Sequence, residues 1–78
     1  MLKIKQLKPL NNNKLSIVFE NGEMRIFNLS PYLGKGVFQE LKDPAYFNQV
    51  KNEGYFICWP HEQDLSADTL YLEGDKGS

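Results

Sequence analysis

The sequence predicts an α+β domain: a three-stranded antiparallel meander, two short helices, a fourth strand and a C-terminal helical turn. Three observations predict it. Asn21-Gly22 joins two β-rich runs, Leu15–Phe19 and Met24–Phe27. Two polar-Pro pairs, Ser30-Pro31 and Asp43-Pro44, mark helix starts. A second β-rich run, Tyr55–Trp59, stops at Pro60.

Each element follows in order. Leu2-Lys3-Ile4-Lys5 alternates apolar and basic residues, as a half-exposed strand does. Pro9 and the cluster Asn11-Asn12-Asn13 end it in a turn. A two-residue type I′ loop at Asn21-Gly22 then sets Glu20 opposite Glu23, Phe19 opposite Met24, Val18 opposite Arg25 and Ile17 opposite Ile26. In that register Leu15, Ile17, Phe19, Met24 and Ile26 share the core face. Ser16, Val18, Arg25 and Phe27 share the other face, which is only partly polar. Ser30-Pro31 opens a short turn ended by Gly34 and Gly36; Val37, Phe38 and Leu41 have the spacing of one helical turn. Asp43-Pro44 opens Ala45–Val50, with Phe47 and Val50 on one face. Ser66 caps a last turn from Ala67 to Tyr71, where Asp68 suits the positive end of a helix.

Seventy-eight residues make room for one core, placed over residues 1–73 with a flexible polar tail over 74–78. Apolar residues reach 41%, enough to build that core and to argue against disorder. Nine Lys+Arg against ten Asp+Glu leave a net charge of −1, which does not point to nucleic acid. The balance is uneven: Lys3, Lys5, Lys8 and Lys14 stand at the start with no acid, and the last third is acidic. The simplest reading makes the first strand and the last segment neighbours. No apolar run approaches a membrane span, the start does not resemble a signal peptide, and a single Cys excludes an internal disulfide. A cytoplasmic protein with no membrane partner is expected.

Taken together, Val18–Glu23, Arg25–Phe27, Leu29-x-Pro31-Tyr32-Leu33, Lys35–Phe38 with Leu41-Lys42-Asp43, and Phe47-x-x-Val50 form a specific order. Trp59, Asp64-Leu65-Ser66, Asp68 and Leu70-Tyr71 complete it. In this order the chain resembles the bacterial family catalogued as domain of unknown function 2442. The resemblance spans about residues 2–72. It departs at Asn28, where the family usually has Asp, and at Pro60-His61-Glu62-Gln63, which replaces an Asn-Gly turn. The resemblance implies a small α+β fold with no assigned activity, sometimes joined to a helix-turn-helix domain. It also implies a gene beside that of another small protein, as in toxin–antitoxin pairs.

Chemistry has few candidates. Cys58-x-x-His61 supplies one Cys and one His to a chain that has no others, short of a four-ligand zinc site. As a nucleophile pair the two would need an imidazole at hydrogen-bond distance and a third group to orient it, and no oxyanion-hole glycine pattern accompanies them. Glu20 and Glu23 sit at a hairpin tip with nothing to desolvate either, and Asp64 and Asp68 bracket Ser66 as loop and cap partners. Gly34-Lys35-Gly36 lacks the Walker pattern. No catalytic residue, metal or cofactor is expected.

The expected role is a non-catalytic protein-interaction module, the antitoxin-like or regulatory half of a small two-protein system. Its candidate surface is Val18, Arg25, Phe27, Trp59, Asp64 and Tyr71. The expected partner is another small protein, with a homodimer through a sheet edge as a second route. The alternative is a nucleic-acid-binding regulatory domain using Lys3, Lys5, Lys8, Lys14 and Arg25, although no aromatic pair stands beside them to stack bases. With no four-ligand set, EDTA is expected to leave the melting temperature in place. A large drop restored by zinc in differential scanning calorimetry would overturn that ligand census.

Overall fold

A computed structural model describes residues 2–76. Strands β1 (Ile4–Leu10), β2 (Lys14–Phe19) and β3 (Met24–Asn28) form the expected antiparallel meander. Two 3₁₀ segments, Ser30–Tyr32 and Gly36–Lys42, lead into the single-turn helix α1 (Pro44–Phe47). The strand expected at Tyr55–Trp59 is β5 (Phe56–Cys58), and it lies at the centre of a second antiparallel sheet. Its neighbours β4 (Lys51–Asn52) and β6 (Asp64–Ser66) are too short to carry a readable period. Helix α2 (Ala67–Glu73) follows directly. The class is α+β, with a second sheet where one strand was expected.

The hairpin register differs from the expected one by a single residue. The Gly22 amide donates to the Phe19 carbonyl at 2.9 Å, and the Phe19 amide to the Glu23 carbonyl at 2.8 Å. The loop therefore holds three residues, Glu20, Asn21 and Gly22, and Gly22 alone takes the left-handed conformation at φ 90°. This is a type I turn closed by a glycine bulge rather than a type I′ turn. Asn21 Oδ1 accepts from the Glu23 amide at 2.9 Å, a bond that favours the longer loop. Two consecutive left-handed residues do occur, at Asn12 and Asn13, in the turn between β1 and β2.

The slip exchanges the faces of β3. Val18 now lies opposite Met24, Ile17 opposite Arg25, Ser16 opposite Ile26 and Leu15 opposite Phe27. Side chains alternate along a strand, so Arg25 and Phe27 turn inward while Met24 and Ile26 turn outward. Phe27 is 2% exposed and Met24 41%, the reverse of the sequence expectation. An aromatic ring buries more apolar area than Ile26 offers, and Arg25 finds carbonyl and carboxylate partners inside.

The helix starts are chemically as expected at two of three sites. Asp43 Oδ1 accepts from the Ala45 amide at 3.1 Å with Pro44 in the first turn, and Ser66 Oγ accepts from the Thr69 amide at 3.1 Å. Ser30 does not cap. The acceptor is Asn28 Oδ1, 3.0 Å from the Ser30 amide, so Asn at this position keeps the side-chain oxygen that Asp would supply.

One apolar cluster joins Ile4, Leu15, Ile17, Phe19 and Phe27 of the first sheet to Phe47, Ile57, Trp59, Leu65 and Leu70. The Trp59 indole donates to the Phe47 carbonyl at 2.8 Å, so its one polar atom is satisfied inside. The Ile4 amide donates to the Gly54 carbonyl at 2.7 Å, which ties β1 to the turn between β4 and β5. On the opposite edge Asp75 exchanges two main-chain bonds with Ile26, at 2.8 and 2.9 Å, within the segment expected to be flexible. Gly77 and Ser78, the rest of that tail, lie outside the described residues. The acidic last third thus meets the basic first strand only at its beginning, near Asn52 and Gly54, while its far end lies along β3. The ion pairs among the described residues, Arg25–Glu23 and His61–Glu40, do not join those two segments.

Gly22→Val places a β-branched residue at a left-handed φ and is expected to destabilise the fold by about 1–3 kcal/mol. Gly22→Asn, which tolerates that region, should cost much less. Equal urea midpoints for wild type and Gly22→Val would overturn the loop assignment.

Candidate interaction surface

Cross-strand register assigns every side chain of the first sheet to a face. On the inner face Ile17 and Phe19 are fully buried. On the outer face, Gln6, Val18 and Met24 form one row, Lys8, Ser16 and Ile26 the next, and Leu10, Lys14 and Asn28 a third. A bulge between Ile4 and Gln6 leaves Lys5 beside the first row. Val18 and Ile26 are half-buried, although β2 and β3 are both paired on two sides. Nothing in the described chain is laid over them as the core is laid over Ile17. The outer face is an aliphatic patch with lysines along its β1 side.

Of the six residues expected to form the interaction surface, only Val18 lies on this face. Phe27 is covered by the chain's own core and lies 5.8 Å from the Tyr32 ring. Trp59 is buried. Asp64 is exposed on β6, in the other sheet, so the structure does not join it to Val18. Arg25 is 5% exposed and fully engaged. Its Nε donates to the Tyr71 carbonyl at 3.0 Å, Nη1 to the Met24 carbonyl at 2.9 Å and Nη2 to Glu23 Oε1 at 3.1 Å. The guanidinium lies 4.1 Å from the Tyr71 ring centre, and the Tyr71 hydroxyl donates to Glu23 Oε2 at 2.8 Å. Glu23 therefore serves Arg25 and Tyr71 rather than facing Glu20. This closed cluster pins α2 to β3. It leaves so little room that a Cβ on Gly74 would sit 2.9 Å from the Arg25 Cβ.

Sequence reasoning missed Met24 and Ile26 because the Asn-Gly pair admits two loop lengths. The signal that could have chosen between them is Phe27, which the shorter loop leaves outside.

A second polar cluster surrounds Gln63, which is 1% exposed. The Tyr46 hydroxyl donates to Gln63 Oε1 at 2.7 Å and accepts from the His61 amide at 3.0 Å. Gln63 Nε2 donates to the Val37 carbonyl at 2.6 Å and to Glu40 Oε1 at 2.9 Å. His61 Nδ1 lies 2.7 Å from Glu40 Oε2, and because a carboxylate only accepts, Nδ1 carries the proton. The His61 ring stacks on Tyr46 at 5.2 Å. The loop Pro60–Gln63, where the resemblance was weakest, is thus held by two elements, the Gly36–Lys42 segment and α1. A carboxylate-oriented imidazole is part of nucleophilic triads, but the groups assembled around it are an amide and a phenol. Among the described residues, no three His, Cys, Asp or Glu side chains form a cluster able to hold a metal. No helix is long and apolar enough to cross a membrane among them.

A family model described as "Protein of unknown function (DUF2442)" matches residues 4–76. The chain belongs to that family. The match runs from the first residue of β1 to just past the Asp75 bridge, so the DUF2442 unit includes both sheets and the return of the chain onto β3. Over 36 residues the chain is also 42% identical to "Protein translocase subunit SecE" of Rickettsia bellii, and to the protein of the same name from Rickettsia typhi. That stretch is 46% of this chain and 54% of each relative, so the chain spans about half the length of the curated relatives it matches. No solved structure matches.

The edges of the DUF2442 sheet are partly closed. The β3 edge carries Asp75, and β1 is met by Gly54 and by Asn52 Nδ2, which donates to the Ile4 carbonyl at 3.1 Å. Further along β1, Pro9 has no N–H to offer a partner strand.

Glu23 is held below the usual carboxylate range by the Tyr71 hydroxyl first and Arg25 second, and Glu40 by His61 first and Gln63 second. Tyr71 and Tyr32 are pushed above the usual phenol range by donating to Glu23 and Glu73. Depressed carboxylates contribute stability above their unfolded value of about 4.5, lost as pH falls through the folded value. Raised phenols contribute stability below about 10, lost as pH rises further. The urea midpoint is expected to fall at both extremes. The Glu23→Gln/Glu40→Gln double variant should show a shallower acid limb, and an unchanged limb would overturn this account.

Proposed function

We propose that this DUF2442 domain is a non-catalytic interaction module that binds protein through the outer face of the β1–β3 sheet. The observation that carries the reading is the aliphatic group Val18, Met24 and Ile26, left outside the core on a sheet whose other face is packed against it. The scarcity of chemistry supports it: the one oriented imidazole belongs to a network that fastens a loop, and Cys58 is half-buried in β5. The regulatory or antitoxin-like half of a two-protein system is the specific role proposed, on the family resemblance. A second reading, nucleic-acid binding, is favoured by Lys5, Lys8 and Lys14, which border the same face. Its weakness is that the face has no aromatic ring on which a base could stack.

The test is capture from lysate of the source cell, comparing wild type with Ile26→Glu and with a control charge change at Glu62. Ile26→Glu should keep its melting temperature within a few degrees, since the side chain lies outside the core. It should lose the captured protein that the Glu62 variant retains. Equal capture by all three would overturn the surface. A captured species removed by nuclease would favour the second reading.

A further inference from the structure

The outer face is electrically two-sided in a way that fits a second copy of itself. Lys8 is paired with Ser16, Ser16 with Ile26, and Ile26 with Asp75, so one cross-strand row reads Lys8–Ser16–Ile26–Asp75 from edge to edge. Directly paired residues of antiparallel strands place their side chains on the same face, so all four belong to the outer face. Lys8 and Asp75 are both exposed, and neither has an ion-pair partner among the described residues.

We infer that the protein forms a two-fold symmetric dimer in which the outer faces of two β1–β3 sheets pack together, Lys8 of each copy against Asp75 of the other. The inference rests on the reading of this face as a protein-binding surface and names its occupant. Two face-to-face orientations bring the rows into alignment. A two-fold axis across the strands sets β1 over β1 and brings lysine toward lysine. An axis along the strands sets β1 of one copy over the Asp75 edge of the other, and β2 over β3. In that arrangement Ser16 meets Ile26, Val18 meets Met24, and Lys14 meets Asn28 rather than another lysine. The apolar patch is stacked on itself and the Lys8 and Asp75 charges are matched, twice per dimer. The small Ser16 opposite the larger Ile26 suits interdigitation of two aligned sheets about 10 Å apart.

The face is four backbone segments wide, each about 4.8 Å from the next, and some five residues long at about 3.3 Å each. Its footprint is of the order of 300 Å² per copy, below what a stable specific interface buries. The dimer is therefore weak and concentration-dependent.

Sedimentation equilibrium on the full chain, between about 10 µM and 1 mM, tests it. The weight-average mass is expected to rise toward twice the monomer value and to rise less at high salt. Lys8→Glu and Asp75→Lys should each weaken association about tenfold or more, with melting temperatures preserved, because Asp75 meets Ile26 through its main chain alone. The decisive variant carries both changes, Lys8→Glu with Asp75→Lys. It restores opposite charges across the interface and should recover wild-type association. A monomer throughout the range, a dimer indifferent to either single change, or a double variant no better than the singles would overturn the inference. If the chain is monomeric yet captures a different protein through Ile26, this dimer is wrong and the binding face stands. If a dimer survives Ile26→Glu, association uses another surface and this dimer is wrong, while the capture comparison alone decides the binding face.

Discussion

Gly22 holds φ at 90°, and the loop built around it decides which side chains of β3 face inward. A two-residue loop and a three-residue loop differ by one position of register, and one position is the whole difference between the faces of a strand. The longer loop sends Phe27 to the core and Arg25 beneath α2, and it leaves Met24 and Ile26 outside. Everything on the first sheet follows: the packing of Phe27 near Tyr32, the clamp on Tyr71, and the aliphatic patch on the outer face.

Two buried polar side chains hold together elements that could not stand alone. Helix α1 has four residues and β4 two, far below what is stable in isolation. Arg25 bonds to a carbonyl 46 positions away and joins β3 to α2. Gln63 joins the Gly36–Lys42 segment, Tyr46 of α1 and the loop before β6. No buried side-chain polar atom among the described residues lacks a partner, so neither cluster carries the penalty of an unpaired group. Both clusters use exposed carboxylates, Glu23 and Glu40, as their outer anchors.

What could be read from the sequence was local. Asp43 and Ser66 cap as expected because a cap is decided within three residues. The hairpin was legible for the same reason, and the family resemblance held over residues 4–76. The register was not legible, because the arbiter is tertiary: whether Arg25 can be satisfied inside depends on Tyr71, far along the chain. Gln63 gave no signal because its partners come from two elements, 17 to 26 positions earlier in the chain. The strands β4 and β6 were invisible because two or three residues cannot display alternation. For the site, Val18 was placed on the outer face, and Arg25 and Phe27 were assigned there through the wrong loop length.

A domain of this size cannot cover both faces of its larger sheet. Among the described residues its one regular helix longer than a turn, α2, and the whole second sheet are spent on the inner side, where five apolar residues of β1–β3 and Arg25 are buried. The outer face must then meet water or another molecule. A face meant only for water would place polar or charged residues at its centre, and here Lys8 stands on β1 and Lys14 at the very start of β2. The centre instead holds Val18, Met24 and Ile26, with Ser16 as the one small polar residue among them. Placing aliphatic side chains there adds nothing to the monomer's core and exposes apolar area. That choice makes physical sense where another surface covers the patch, and the fold's unused face is therefore where its function is most economically sought.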